Sequence, residues 1–127
     1  MKILIVDDER DVQWLFEKKF RKEQKSGELD MHFAYSGEDA LELLKQPKMI
    51  DVKLVLTDIK MPGMSGLDLL KILKEQFSRL PVIVITAYDD AKNRMTAYRY
   101  GANDYINKPI DFAKLKDKIF RLTRYTK

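Results

Sequence analysis

Lys2-Ile3-Leu4-Ile5-Val6-Asp7-Asp8 and Val52-Lys53-Leu54-Val55-Leu56-Thr57-Asp58 are two apolar runs that end in acids. Runs of this kind suit strands covered on both faces, as in a parallel sheet. If both belong to one such sheet, their carboxyl ends share an edge, where open α/β sheets place their ligand crevices. Asp7, Asp8 and Asp58 then converge. Three carboxylates in a partly desolvated cleft repel one another, so they must protonate or collect a cation, and oxygen-only donors suit a hard ion such as Mg²⁺. The pattern describes a metal-dependent phosphate site.

Outward from these runs, helical and strand patterns alternate. Val12, Leu15, Phe16 and Phe20 fall on one helical face, and Ser26-Gly27 ends that segment. Met31 to Tyr35 reads as a second strand, and its His32 and Tyr35 suit a sheet edge. Ser36, with Asp39 three positions on, is placed to cap a helix through Ala40, Leu41, Leu43 and Leu44, which Pro47 closes. The turn residues from Met61 to Gly66 lead into a helix marked by Leu67, Leu70, Ile72, Leu73 and Phe77. Pro81 to Thr86 is the fourth strand. A helix from about Asp90 to Tyr100 stops at Gly101, Asp104 to Asn107 is a short fifth strand, and Asp111 is placed to cap a last helix with Phe112, Leu115, Ile119 and Leu122 inward. Five strands alternating with five helices imply right-handed crossovers and one doubly wound, five-stranded parallel α/β sheet.

Composition narrows the functions available. At 127 residues and 45% hydrophobic side chains, the chain is sized for one domain with one core. Its 24 basic and 20 acidic residues are interspersed, which argues against disorder. The net charge of +4 permits nucleic-acid contact without demanding it, so direct nucleic-acid binding by this domain is not expected. Zero cysteines exclude disulfides, thiolate metal sites and thiol nucleophiles, and fit a reducing compartment. No signal-peptide pattern opens the chain. The longest apolar stretch, Leu80 to Ala87, is far short of the roughly 20 residues a spanning helix needs. The expectation is a cytoplasmic protein with no membrane partner.

Two further strand ends carry polar groups. Thr86 closes the fourth run with a stiff hydroxyl donor, and Lys108 follows the fifth with a compact positive charge suited to a phosphoryl oxygen. With a divalent ion, these groups can balance a transferring phosphoryl group, whose catalysis is mainly positioning and electrostatics.

Ile-Val-Asp-Asp at 5 to 8, Leu-Thr-Asp-Ile-Lys-Met-Pro-Gly-Met-Ser-Gly at 56 to 66, Ile-Thr-Ala at 85 to 87 and Lys-Pro at 108 to 109 resemble CheY-like response-regulator receiver domains over essentially the whole chain. The resemblance implies a flavodoxin-like sheet of order 2-1-3-4-5 and a phosphorylation-activated switch that catalyses only its own phosphorylation and dephosphorylation. By the same resemblance Asp58 is the phosphoacceptor and takes a phosphoryl group from a sensor histidine kinase or phosphotransfer protein. Asp8 would bind Mg²⁺ directly and Asp7 mostly through water, with Asp58 and the Lys60 backbone carbonyl completing the protein ligands. Lys108 would pair with the phosphoryl group across a Lys108-Pro109 bond that is often cis in similar proteins. Thr86 and Tyr105 would form the switch, while Lys60 and Tyr88 would flank the phosphoryl group and tune its lifetime.

Several residues have plainer readings. Trp14 lies beside the apolar stripe of its helix and is expected to be a half-buried packing residue rather than part of a docking surface. His32 reads as a polar strand residue, Met61 and Met64 as loop packing, and Lys114, Lys116, Lys118, Arg121 and Arg124 as a solvated basic face. An aspartyl-phosphate-forming phosphatase or phosphotransferase would need a cap or substrate pocket for which the chain has little length. A nucleotide-binding module would need a glycine-rich loop where Asp8-Glu9-Arg10 stands. The chain reads as a single receiver domain over 1–127, either complete or the amino-terminal part of a longer regulator with an output domain. In the family, the face of the fourth helix, fifth strand and fifth helix commonly dimerises or docks partners. Asn103 stands where one dimerising class has an acid, so that particular dimer is not predicted here.

Overall fold

The computed structural model describes residues 1–87 and 90–124. Its strands are β1 (Lys2–Val6), β2 (Asp30–Ala34), β3 (Val52–Thr57), β4 (Val82–Thr86) and β5 (Asp104–Asn107), all parallel and ordered β2-β1-β3-β4-β5. This is the expected doubly wound, flavodoxin-like sheet, with the second strand at an edge. Val6 is level with Ala34 on one side and Thr57 on the other, and Thr86 is level with Asn107. Because β2 lies on one side of β1 and β3 on the other, successive crossovers leave in opposite directions and open a crevice above β1 and β3.

The helices are α1 (Arg10–Lys19), α2 (Arg21–Lys25), α3 (Gly37–Leu44), α4 (Gly66–Gln76), α5 (Ala91–Arg99) and α6 (Phe112–Arg124), with a 3₁₀ turn at Pro47–Met49. Six helices among the described residues correct the expected five, because the first predicted helix is divided at Phe20. That residue takes φ −109° and ψ 23°. The backbone bonds Phe20 N–H to Phe16 O and Gln24 N–H to Phe20 O still run across the break. The Phe20 ring is fully buried, stacked on Phe16 at 5.8 Å and edge-on to Phe112 of α6 at 5.9 Å. Tertiary packing of one ring overrides a local pattern with no glycine or proline to mark it.

Alternation along the strands divides the core into two layers. Leu4, Val6, Val55, Val82, Val84 and Tyr105 face Ala40, Leu69, Leu70, Leu73 and Ala97 of α3, α4 and α5. Ile3, Ile5, Leu54, Leu56, Ile83 and Ile85 face Phe16, Phe20, Leu115 and Ile119 on the α1 and α6 side. Ser36, Ser65 and Asp90 cap α3, α4 and α5, accepting from the N–H groups of Asp39, Asp68 and Asn93 at 3.0, 3.1 and 2.7 Å. Gly101 stops α5 with φ +102°. Met61 packs in the core, as expected for loop packing, while Trp14 is 62% exposed with the Lys18 ammonium 5.1 Å from its ring centroid. Trp14 is therefore not a packing residue. It lies outside the stripe that carries Phe16 inward, and the α1 face it shares with Lys18 turns to solvent.

Candidate functional site

The strand alternation that sends Ile5 and Leu56 toward α1 and α6 carries on past the strand ends, so Asp7 and Asp58 project on that same side. Each strand end is held by its neighbour: Asp7 N–H donates to Ala34 O and Asp58 N–H to Val6 O, both at 3.0 Å. Asp7 and Asp58 are 7% and 6% exposed, whereas Asp8 is exposed. One oxygen from each of the three carboxylates falls within 4.8 Å of the others. Three hard oxygen donors, two buried and one open to water, form a set whose chemistry suits a hard divalent ion such as Mg²⁺.

Lys108 reaches this cluster from the turn after β5. Its ammonium donates to Asp7 Oδ2 and to Asp58 Oδ2, each at 3.0 Å. Its backbone is anchored to β4, Lys108 N–H bonding Thr86 O at 2.9 Å; the Lys108-Pro109 peptide is cis. The other oxygens are occupied locally, Asp7 Oδ1 by the Glu9 N–H at 3.0 Å and Asp58 Oδ1 by the Ile59 N–H at 2.7 Å.

Electrostatics follow from this packing. Burial pushes the Asp7 carboxyl above its ordinary 3.8, more than the bonds from Glu9 and Lys108 can offset. For Lys108 burial acts downward, yet the bonds to Asp7 and Asp58 and the two negative charges outweigh it and hold the ammonium above 10.5. The site is thus a buried acidic pair quenched by one internal cation. A divalent cation or a phosphoryl group entering it would exchange with contacts that Lys108 already makes.

The loop after β3 is shaped around Asp58. The Thr57 hydroxyl donates to Asp58 O at 2.9 Å, and Gly66 N–H donates to Ile59 O at 2.7 Å. A Cβ at position 66 would lie 1.7 Å from Asp58 O. The sequence assigns Gly66 to the loop-to-helix geometry, and the structure adds the reason: bare backbone is needed to dock the start of α4 against the loop after Asp58. Lys60 is exposed two residues past Asp58.

Thr86 is fully buried at the end of β4. It shares a sheet face with Val84, and Val84 is level with Tyr105, so Thr86 and Tyr105 are diagonal neighbours on the α5 side. Tyr105 is buried, with the Arg94 guanidinium of α5 4.7 Å from its ring centroid. That stacking depends on how α5 is rotated against β5, and no sequence signal announces it. Tyr88 lies outside the described residues. Asn103 does not stand free at the α5–β5 turn: its Oδ1 accepts from Val82 N–H at 2.9 Å and from the Lys74 ammonium at 3.0 Å. Part of the basic face of α6 is tethered rather than solvated, with Lys116 paired to Glu23 at 2.7 Å and Lys118 to Asp104.

The family model for the response regulator receiver domain matches residues 3–120. The chain is 40% identical over 111 residues to the DNA-binding transcriptional regulator NtrC of Proteus hauseri, an alignment covering 86% of this chain and 22% of that protein. It therefore spans about a fifth of that relative's length. It is 36% identical to chemotaxis protein CheY-3 of Vibrio cholerae, with 96% of this chain and 91% of that one aligned. Among solved structures it is similar to response regulator protein TrrA of Thermotoga maritima in complex with Mg²⁺-BeF, at 29% identity, a TM-score of 0.78, and coverage of 95% and 97%. No helix among the described residues is long and apolar enough to cross a membrane.

Proposed function

The chain belongs to the response regulator receiver domain family, and on that premise we propose that it is a binding switch set by phosphorylation of Asp58. The observation that carries this reading is the Lys108 ammonium, held 3.0 Å from both Asp7 and Asp58. It is a single charge already in place where a phosphoryl group would form. Asp58 is the nucleophile toward the phosphohistidine of a sensor histidine kinase or phosphotransfer protein. The Ile59 N–H fixes one Asp58 oxygen and leaves the oxygen facing Lys108 to react. Asp8, Asp58 and the Lys60 carbonyl would hold Mg²⁺, with Asp7 mostly through water, and the ion would supply charge neutralisation for the transferring group. Lys108 then moves from the Asp58 carboxylate to a phosphoryl oxygen.

The response passes through Thr86 and Tyr105. A phosphoryl group adds roughly two negative charges and new acceptor oxygens at the sheet edge where β4 ends in Thr86. Thr86 turns toward it, and Tyr105 moves on the shared sheet face to follow. Taking such a pair from 1:99 to 99:1 needs about 5.5 kcal/mol, within reach of a few charge-assisted hydrogen bonds. Lys60 and Tyr88 set how readily water reaches the acyl phosphate. The face of α5, β5 and α6 presents the result to an output domain or a separate partner in the cytoplasm, and is the surface a homodimer would use.

Incubation with acetyl phosphate and Mg²⁺ tests the assignment. Intact mass spectrometry should show one phosphoryl adduct that is labile to hydroxylamine, lost in Asp58→Asn and absent with EDTA. Full labelling of Asp58→Asn would overturn it. Steady turnover of a generic phosphate ester would instead favour the phosphotransferase alternative.

A further inference from the structure

At the opposite edge of the sheet from Asp58, the amino ends of β3 and β4 border an open groove of about 1,090 Å³. One wall is the turn after α3, the other the segment joining α4 to β4. Phe77 and the buried Leu80 form its apolar base, and Ile50 stands on its wall with 89% of its surface exposed. An isolated exposed isoleucine is ordinary. This one belongs to a groove whose charged lining residues are all cations: Lys45, Lys53 and Arg79. None of the three holds an ion pair among the described residues, and the neighbouring Asp51 is paired to Lys2 at 3.0 Å.

We propose that this groove docks an acidic amphipathic segment of a partner protein, with its apolar side chains against Ile50, Phe77 and Leu80 and its carboxylates against Lys45, Lys53 and Arg79. Two observations favour this occupant. The first is charge complementarity, because three cations that hold no ion pair within 4 Å among the described residues surround an apolar base, attracting acids and repelling basic segments. The second is where the polar groups lie. Every polar side chain lining the groove is exposed, so no buried polar side chain is there to orient a small molecule. An apolar strip with charged flanks instead matches a helix laid in a groove, read by side chains at helical spacing. The groove shares no residue with the acid cluster.

The test is a titration of the ¹⁵N-labelled full chain with a synthetic amphipathic helix of leucine and glutamate. Amide shifts should concentrate in residues 45–53 and 76–80, and added salt should weaken them. Lys45→Glu combined with Arg79→Glu should reduce affinity about tenfold or more, and Ile50→Ala should reduce it about threefold with an unchanged Tm. A peptide with lysine in place of glutamate should not bind. Absence of shifts in these segments, equal binding of the lysine peptide, or equal affinity for a small aromatic carboxylate such as phenylbutyrate would each overturn the proposal.

Discussion

Asp7 is the residue at which folding and function oppose each other most directly. Its carboxyl is buried beside Asp58 and pushed above 3.8, so the ionised form costs the fold more than the bonds to Glu9 and Lys108 return. Asp7→Asn should therefore stabilise the metal-free protein, by on the order of 1 kcal/mol or about 3 °C in Tm, while abolishing stabilisation by Mg²⁺. A lowered Tm in EDTA would refute this. At this scale the sequence was legible where chemistry is spelled by residue type at a strand end. The three acids and Lys108 were readable: Lys108 bonds Asp7 and Asp58 at 3.0 Å, and Asp8 brings an oxygen within 4.8 Å of the other two carboxylates. What escaped depended on distances across the fold. Neither the Gly66 contact with Asp58 O nor the Arg94 guanidinium over Tyr105 leaves a mark in local sequence.

Among the elements, the strands and most helix ends were readable because their causes are local: apolar runs, serine and aspartate caps, glycine at a positive φ. The division of the first helix was not. Phe20 satisfies the helical spacing, and only its ring packing with Phe16 and Phe112 explains the break. Phe20→Ala should cost about 3 to 5 kcal/mol, as expected for a fully buried aromatic. It should also allow residues 10–25 to run closer to one continuous helix. Denaturant unfolding and backbone chemical shifts would check the two parts, and a cost below about 1 kcal/mol would show that the ring anchors nothing. Trp14 failed for a related reason. The edge of an amphipathic stripe is decided by which neighbouring helix covers it, and no described element covers that side of α1 closely enough to bury the ring.

For the whole molecule, one lysine after the last strand ties the first and third strands together at their carboxyl ends, so stability should follow its charge. The Lys108 ammonium is held above 10.5, and such a group stabilises fully below its unfolded value and loses that contribution as pH rises through its folded one. In EDTA at pH 8, Lys108→Met should be less stable than the parent chain by about 3 kcal/mol, since it leaves two buried carboxylates unpaired. Above pH 10.5 the gap should close as the parent loses the same charge. Urea midpoints of the two proteins across pH 8 to 11.5 would measure this, and a gap that stays constant would count against it. Exposure of Trp14, the sole tryptophan, has a practical optical consequence. Its indole already sees water in the folded chain, so its emission should move little when the fold is lost. Circular dichroism is then the probe that reports unfolding. A marked blue shift of the indole at high protein concentration would instead be a direct signal that something has come to rest on α1.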